Sequence, residues 1–205
     1  MLVLTNFVDI DQFDIEINRY GTNKPELRQK NIYNKLLENK DKYQVLNPYI
    51  VLTKDELINL NIHDNDYIDF LEGAYSSFTQ NPDNDYLKSD GIIPYHLSKN
   101  KFYQSYKNLP LWRQLGHFCD DVITPINNDT YKVSIESANN CFVAVDLIEL
   151  NDKIYCLNTY PGHHARRDGC SGHCYINNAY VCVSRLISKG KRGCSYRSGL
   201  PCWYT

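Results

Sequence analysis

Apolar and polar positions near the start of the chain follow the period of an amphipathic helix. Within residues 26–43, Leu27, Ile32, Leu36 and Leu37 recur at roughly helical spacing, with charged residues between them. This pattern predicts a helix that packs one face against a core.

A second helical region is predicted from Thr53 onward. Thr53 is followed three residues later by Glu56, which is the capping-box pattern of a helix start. Further along, Tyr67, Phe70 and Leu71 would share one helix face. Core packing is the favoured interpretation of these three side chains.

Residues 76–111 are polar and interrupted by Pro82, Pro94 and Pro110. Connections of this length within a compact domain are usually functional or disordered. We therefore interpret residues 76–111 as a long insertion loop.

Helix and strand patterns alternate in the second half of the chain. A helix is predicted over residues 128–149 with Thr130 as its N-cap, a short buried strand over 153–158, and another helix over 178–189. Such alternation is typical of an α/β fold with a parallel sheet. In that architecture site residues lie at the carboxyl ends of strands.

Composition limits the classes of partner. The chain has 205 residues, of which 42% are hydrophobic, so it can bury a core as one domain or a large part of one. Its formal net charge of -2 gives no electrostatic reason to expect nucleic-acid binding. Any binding partner must therefore be inferred from the residues of a particular site rather than from net charge.

The cysteines and the N-terminus indicate a compartment. Eight cysteines are spread over a chain of ordinary domain size, which favours reduced thiols. The N-terminus lacks the basic region of a signal peptide, and no apolar run approaches membrane-spanning length. We expect a cytoplasmic, or nucleocytoplasmic, protein and no membrane partner.

Two adjacent histidines, His163 and His164, follow Pro161 and Gly162 at the end of the predicted strand. Two imidazoles at a strand end can point into one pocket, where one can take a proton from water. The alternative is an exposed loop that carries two histidines without a role. Acid/base chemistry is favoured because of the sequence around the pair.

That surrounding sequence resembles the zinc-dependent histone deacetylase and acetylpolyamine amidohydrolase superfamily. The resemblance rests on Pro161-Gly162-His163-His164-Ala165 and on Gly172-His173-Cys174-Tyr175-Ile176-Asn177-Asn178. Further matches to the acetylpolyamine branch are Pro25 to Arg28, His63-Asp64 through Leu71, and Gly116-His117-Phe118 through Ile126. The resemblance covers nearly all of residues 20–192, as the N-terminal part of the family's domain.

The resemblance implies an arginase/deacetylase-like three-layer α/β sandwich around a parallel sheet, and a zinc ion that activates water to attack an acetamide. His164 would be the general base, with His163 beside it as the second histidine of the pair. The carbonyl of Gly172 would meet the substrate amide. The branch also implies a small acetylated amine or acetyl-lysine substrate, and a homodimer to which residues 76–111 contribute.

Two site positions leave alternatives open. His173 stands where the family normally has an aromatic residue in the wall of the substrate tunnel. It would either bind a cationic substrate less well than an aromatic residue does, or stack as a flat ring. Asp121 is a candidate rim carboxylate, but an Asx-turn role is favoured.

Cys170 and Cys174 have no partner pair at the spacing of a structural zinc site, so buried thiols are the favoured interpretation. We predict no metal ligands in this chain.

The family pattern stops near residue 192. The family continues with an apolar strand and Asp-x-Asp-x-His, which supply metal ligands, whereas residues 193–205 contain no matching residues. Codons can be chosen for residues 193–204 so that the same bases, read one base later, encode Val-Ala-Leu-Ile-Asp-Leu-Asp-Tyr-His-Ala-Gly. We therefore expect residues 193–205 to be a frameshifted, non-native tail on a truncated deacetylase.

Three functions remain in competition. The first is a metal-dependent deacetylase, truncated before its metal ligands and inactive as this chain, since hydrolysis would lack the metal. The second is an inactive remnant that acts, if at all, as a binding or dimerising module. The third is an enzyme assembled with a separately encoded C-terminal half.

Overall fold

The computed structural model describes residues 1–6, 25–80, 91–97, 106, 109–191, 194–197 and 200–203. In chain order its elements are β1 (Leu2–Thr5), α1 (Pro25–Leu37), β2 (Gln44–Leu46), α2 (Lys54–Asn59), α3 (Asn65–Thr79), α4 (Leu111–Phe118), α5 (Thr130–Leu147), β3 (Ile154–Leu157), α6 (Asn178–Ser188), β4 (Cys194–Arg197) and β5 (Leu200–Trp203). Among these helices, none is long and apolar enough to span a bilayer.

Strands β2, β1 and β3 form a parallel sheet with β1 in the centre. Val3 pairs with Val45 on one side and with Tyr155 on the other. Every residue of β1 is buried, as expected of a central strand in a parallel sheet covered on both faces. The α/β class with a parallel sheet is thus confirmed.

The main core lies where α3, α4, α5 and α6 meet. Tyr67, Phe70 and Leu71 are all buried in it, as their spacing predicts. Phe70 stacks on Phe118 of α4 with ring centroids 4.7 Å apart. The capping box at Thr53 is also confirmed, because Thr53 and Glu56 exchange hydrogen bonds at the start of α2.

Several element bounds differ from the prediction. Helix α3 continues to Thr79 and α4 occupies residues 111–118, so both ends of the predicted loop 76–111 are helical. Within that range, residues 81–90, 98–105 and 107–108 lie outside the described part of the chain. Helix α1 ends at Leu37 rather than near 43.

The N-cap of α5 is Asp129, so the predicted cap at Thr130 was wrong by one residue. Thr130 is the first helical residue, and its hydroxyl accepts from Asn127 N and donates to Asn127 Oδ1, both at 2.8 Å. Strand β3 exists as predicted, but only Leu157 in it is fully buried.

Strands β4 and β5 form a second, two-stranded sheet. β4 pairs with β5 in an antiparallel hairpin, and neither strand joins the parallel sheet.

Candidate active site

The predicted histidine pair lies directly beyond β3, in the turn that connects this strand to the following loops. His163 and His164 are both exposed, with ring centroids 4.2 Å apart and a tilt of 46° between the rings. Gly162 has a φ of +85°, and its carbonyl accepts a hydrogen bond from Ala165 N at 3.1 Å. This tight turn brings both imidazoles to the carboxyl end of the parallel sheet.

Two asparagines at the amino end of α6 hold the histidine turn through hydrogen bonds to backbone carbonyls. Asn177 Nδ2 donates to Ala165 O at 3.0 Å, and Asn178 Nδ2 donates to Tyr160 O at 2.7 Å. Both asparagines are buried. They satisfy carbonyls that would otherwise be costly to bury, and they hold the backbone on both sides of the histidines.

His63 is a second support of the same turn, and it lies two residues before Asn65, the first residue of α3. Its Nδ1 donates to Arg166 O at 2.7 Å and its Nε2 accepts from Asn177 N at 3.0 Å. Burial lowers the pKa of His63 to about 4, against the opposing effect of its backbone hydrogen bonds. A neutral ring with one defined tautomer therefore joins the histidine turn to α6.

The turn at Gly172 and His173 faces the histidine pair. Both residues have left-handed backbone conformations, with φ of +54° and +58°. A Cβ added to Gly172 would lie 2.7 Å from His164 Cδ2, so the ring of His164 packs against the Gly172 backbone. The structure thus brings together three of the predicted site residues: His163, His164 and Gly172.

Asp121 and Thr124 clamp this turn from the other side. Gly172 N donates to Asp121 Oδ2 at 2.7 Å, and His173 N donates to Thr124 Oγ1 at 3.1 Å. Asp121 also accepts from Ile123 N at 2.9 Å and from the Thr124 hydroxyl at 2.9 Å. This is the local turn geometry that the sequence favoured for Asp121. Substrate contact by its carboxylate stays a prediction.

His173 is half-buried beside this clamp. Burial lowers its pKa below the usual histidine value, while the nearby Asp121 carboxylate raises it. The ring is therefore neutral at pH 7, and it presents a flat, uncharged surface next to Gly172.

The metal that the family resemblance implies requires a set of ligands. In the described ranges, no group of three His, Cys, Asp or Glu side chains is arranged to hold a metal ion. The described residues therefore do not fit a zinc site. Cys170 is a buried thiol with its sulfur 3.7 Å from that of Cys119, and Cys174 is also buried.

We expect the Asp121 clamp to hold the Gly172 turn in place. Asp121→Ala removes the acceptor of Gly172 N and leaves this amide without its partner, at a cost of about 1–3 kcal/mol. Amide hydrogen exchange in the peptide that contains residues 171–174 should then accelerate at least about fivefold. The matched control is Asp152→Ala, which removes an exposed loop carboxylate. Unchanged exchange in the Asp121 variant would contradict the clamp.

The candidate site consists of two adjacent histidines beyond the end of a parallel strand, with the ring of His164 packed against a glycine turn of left-handed backbone conformation. The family model of the histone deacetylase domain matches residues 23–195. The chain belongs to this family, and the resemblance seen in the motifs is confirmed.

Individual relatives point to one branch of the family. The chain is 30% identical over 137 residues to an acetylpolyamine amidohydrolase of Mycoplana ramosa, covering 65% of this chain and 38% of the relative. It is 28% identical over 134 residues to acetylpolyamine amidohydrolase 1 of Pseudomonas aeruginosa, with the same shares of 65% and 38%. The chain thus spans about two fifths of the length of these curated relatives.

A solved structure confirms the fold. The crystal structure of an acetylpolyamine aminohydrolase from Burkholderia pseudomallei, from an iodide soak, superposes with a TM-score of 0.70 at 19% identity, covering 92% of this chain and 53% of that chain. The deacetylase-like α/β fold predicted from the motifs is therefore confirmed.

Proposed function

We propose that this chain carries the acid/base histidines and the amide-binding turn of an amidohydrolase that acts on small acetylated amines, such as acetylpolyamines or acetyl-lysine. The observation that carries the proposal is the packing of the His164 ring against the Gly172 backbone, with His163 4.2 Å away between ring centroids. The likeness to acetylpolyamine amidohydrolases supports the substrate class.

Each residue has a defined part in this chemistry. His164 takes a proton from the attacking water as the water oxygen bonds to the acetyl carbon. The C–N bond then breaks, the amine leaves with a proton returned by the histidine pair, and acetate is the second product. The Gly172 carbonyl accepts from the substrate N–H, and Asp121 fixes its orientation through Gly172 N.

We further propose that the 205-residue chain by itself is inactive and binds no stoichiometric zinc. The proposal rests on its donor set: the sequence contains no Asp-x-Asp-x-His segment, and its described histidines, cysteines and carboxylates make no metal cluster. Zinc is the metal expected for the full-length family member. Ligands from outside the described residues would have to supply that site.

The test measures zinc and activity on the purified chain. We expect far less than one zinc per chain by metal analysis and no release of acetate from acetylputrescine or an acetyl-lysine peptide. His164→Ala should leave this background unchanged, and His96→Ala provides a control histidine remote in sequence. Near-stoichiometric zinc, with activity abolished by His164→Ala but not by His96→Ala, would overturn the inactive assignment.

We also propose that residues 193–205 are a frameshifted tail. The pairing of β4 with β5, rather than with the strands of the parallel sheet, supports this. The nucleotide sequence decides the matter. Bases that do not encode Asp-x-Asp-x-His one position later would refute a frameshift.

A binding or dimerising module is the alternative function. It is favoured by an exposed apolar segment before α2, in which Tyr49, Ile50 and Val51 are 90%, 56% and 46% exposed. A homodimer in sedimentation experiments that Tyr49→Ser disrupts would support this second function. The cytoplasmic location expected from the sequence stays a prediction.

A further inference from the structure

Two thiols lie next to the segments that form the Gly172 turn. Cys119 directly follows α4, Cys170 lies in the loop after the histidine pair, and their sulfur atoms are 3.7 Å apart. Both are free cysteines, and only 1% and 0% of the two residues are exposed. The proposed function gives this pair no part.

Backbone pairing holds the two cysteines side by side. Asp120 N donates to Cys170 O at 2.8 Å, and Cys170 N donates to Phe118 O at 2.9 Å. These bonds make Cys119 and Cys170 opposite members of a parallel β-bridge. Paired strands lie about 4.7–4.9 Å apart, and a disulfide needs Cα atoms about 4.4–6.8 Å apart. The backbone spacing of a disulfide is therefore present while both thiols are reduced.

The contact within this pair is between the sulfurs themselves. An S–S bond is about 2.0 Å long, so sulfurs that are 3.7 Å apart must approach by about 1.7 Å. Rotation about the Cα–Cβ bonds moves them in this direction without separating the paired backbones. The thiols of Cys156 and Cys182 instead donate to the backbone carbonyls of Asn140 and Cys141.

We propose that Cys119 and Cys170 are a site of reversible oxidation, which a small-molecule disulfide such as glutathione disulfide closes into an internal disulfide. One protein thiol loses its proton, and its sulfur attacks glutathione disulfide and releases one glutathione thiolate. The second protein thiol loses its proton, attacks the mixed disulfide and releases the other glutathione. Two electrons pass from the protein thiols to glutathione disulfide, and the two protons pass to the released glutathiones.

Burial determines how fast this exchange runs. The hydrogen bond with Cys170 and burial raise the pKa of Cys119 well above its usual value, and protonated, buried thiols are poor nucleophiles. The pair therefore reacts when its loops open locally, and equilibration is slow. The same burial protects the finished disulfide from reduction. The pair thus responds to a sustained change in the thiol–disulfide ratio rather than to a brief pulse of oxidant.

The disulfide lies directly behind the candidate site. Cys119 comes two residues before Asp121, Cys170 comes two residues before Gly172, and Gly172 N donates to Asp121 Oδ2 at 2.7 Å. A covalent link between the two segments keeps this clamp closed. It also closes a long loop and so restricts the unfolded chain. Oxidation therefore makes the Gly172 turn more rigid, whether or not the proposed amidohydrolase activity is present.

The test equilibrates the 205-residue chain under native conditions in glutathione buffers of graded thiol–disulfide ratio. Exchange is quenched with acid, remaining thiols are alkylated, and tryptic peptides are mapped by mass spectrometry. Trypsin releases Cys119 in peptide 114–132 and Cys170 in peptide 168–185. We expect these peptides to be linked, about 2 Da lighter than their reduced sum, with fragmentation placing the bond at Cys170 rather than Cys174. Excess reduced glutathione should reverse the linkage.

Two further measurements compare the oxidised with the reduced chain. The melting temperature should rise by at least about 5 °C, because the new bond closes a loop across a separation of 51 residues. Amide exchange in residues 171–174 should slow at least about fivefold. Cys119→Ser should lose the linkage and both changes. Cys141→Ser, a matched substitution of another buried cysteine, should keep all three.

The outcomes separate the parts of the proposal. No bond between Cys119 and Cys170 at equilibrium, or a bond from either one to another cysteine in its place, would overturn it. A linkage that leaves exchange in residues 171–174 unchanged would refute the effect on the turn. The comparison of the oxidised and reduced unsubstituted chain stays decisive if Cys119→Ser fails to fold. None of these measurements uses enzymatic activity, so their failure is distinct from failure of the proposed function.

Discussion

Gly162→Ala is expected to destabilise the protein by more than about 3 kcal/mol, because it combines a left-handed backbone with steric overlap. Gly162 has a φ of +85°, and a Cβ there would lie 2.3 Å from Ile176 O and 2.7 Å from Asn178 N. Both are backbone atoms, so the overlap cannot be relieved by rotating a side chain. The turn before His163 would have to open.

The free energy of unfolding from urea titrations measures this effect. Gly73→Ala is the matched control, because Gly73 lies inside α3 and a Cβ there meets nothing within 4 Å. This control should stabilise the protein by about 0.5–1 kcal/mol through helix propensity. Equal stability of the two alanine variants would show that the turn is not held as described.

His63 is expected to make the protein sensitive to mild acid. Its pKa is about 4 in the folded protein, chiefly because the ring is buried, against 6.5 for the unperturbed group. The unfolded chain therefore binds the proton more readily between these values. Stability is complete above about pH 6.5 and falls as the pH is lowered towards 4, by roughly 3 kcal/mol.

Unfolding titrations of the unsubstituted protein and of His63→Gln, from pH 7 to pH 4, isolate the contribution of His63 to stability. His63→Gln cannot titrate, so its stability should fall less over this range, although it starts lower at pH 7. Carboxylates contribute to both profiles and cancel in the difference. A constant difference between the two profiles would contradict a neutral, buried His63.

The sequence predicted most helices of the second half because their apolar periods are long. Helices α5 and α6 lie close to the predicted ranges. Strands β1 and β2 were missed, since they are only four and three residues long and carry no periodic pattern of their own. Their strand conformation depends on pairing with each other and with β3, which is a tertiary effect.

The candidate site likewise contains residues whose roles the sequence predicted and residues whose roles it did not. His163, His164 and Gly172 were found from motifs, and the structure places them together. The supporting roles were not predicted: His63, Thr124 and Asn177 stand in the motifs that carry the resemblance, but they act through hydrogen bonds to backbone atoms distant in sequence. His63 stands between Ile62 and Asp64, one residue before the N-cap of α3. Its partners could not be inferred without the fold.

The central position of β1 has a consequence for synthesis on the ribosome. Strand β1 needs two neighbours, and its second neighbour, β3, follows after a separation of 152 residues between Thr5 and Leu157. At typical translation rates of about 5–20 residues per second, Leu2, Val3 and Leu4 wait roughly 10–30 s with one edge unpaired. For that interval we expect this short apolar strand to need protection from aggregation, which chaperones that hold nascent chains provide.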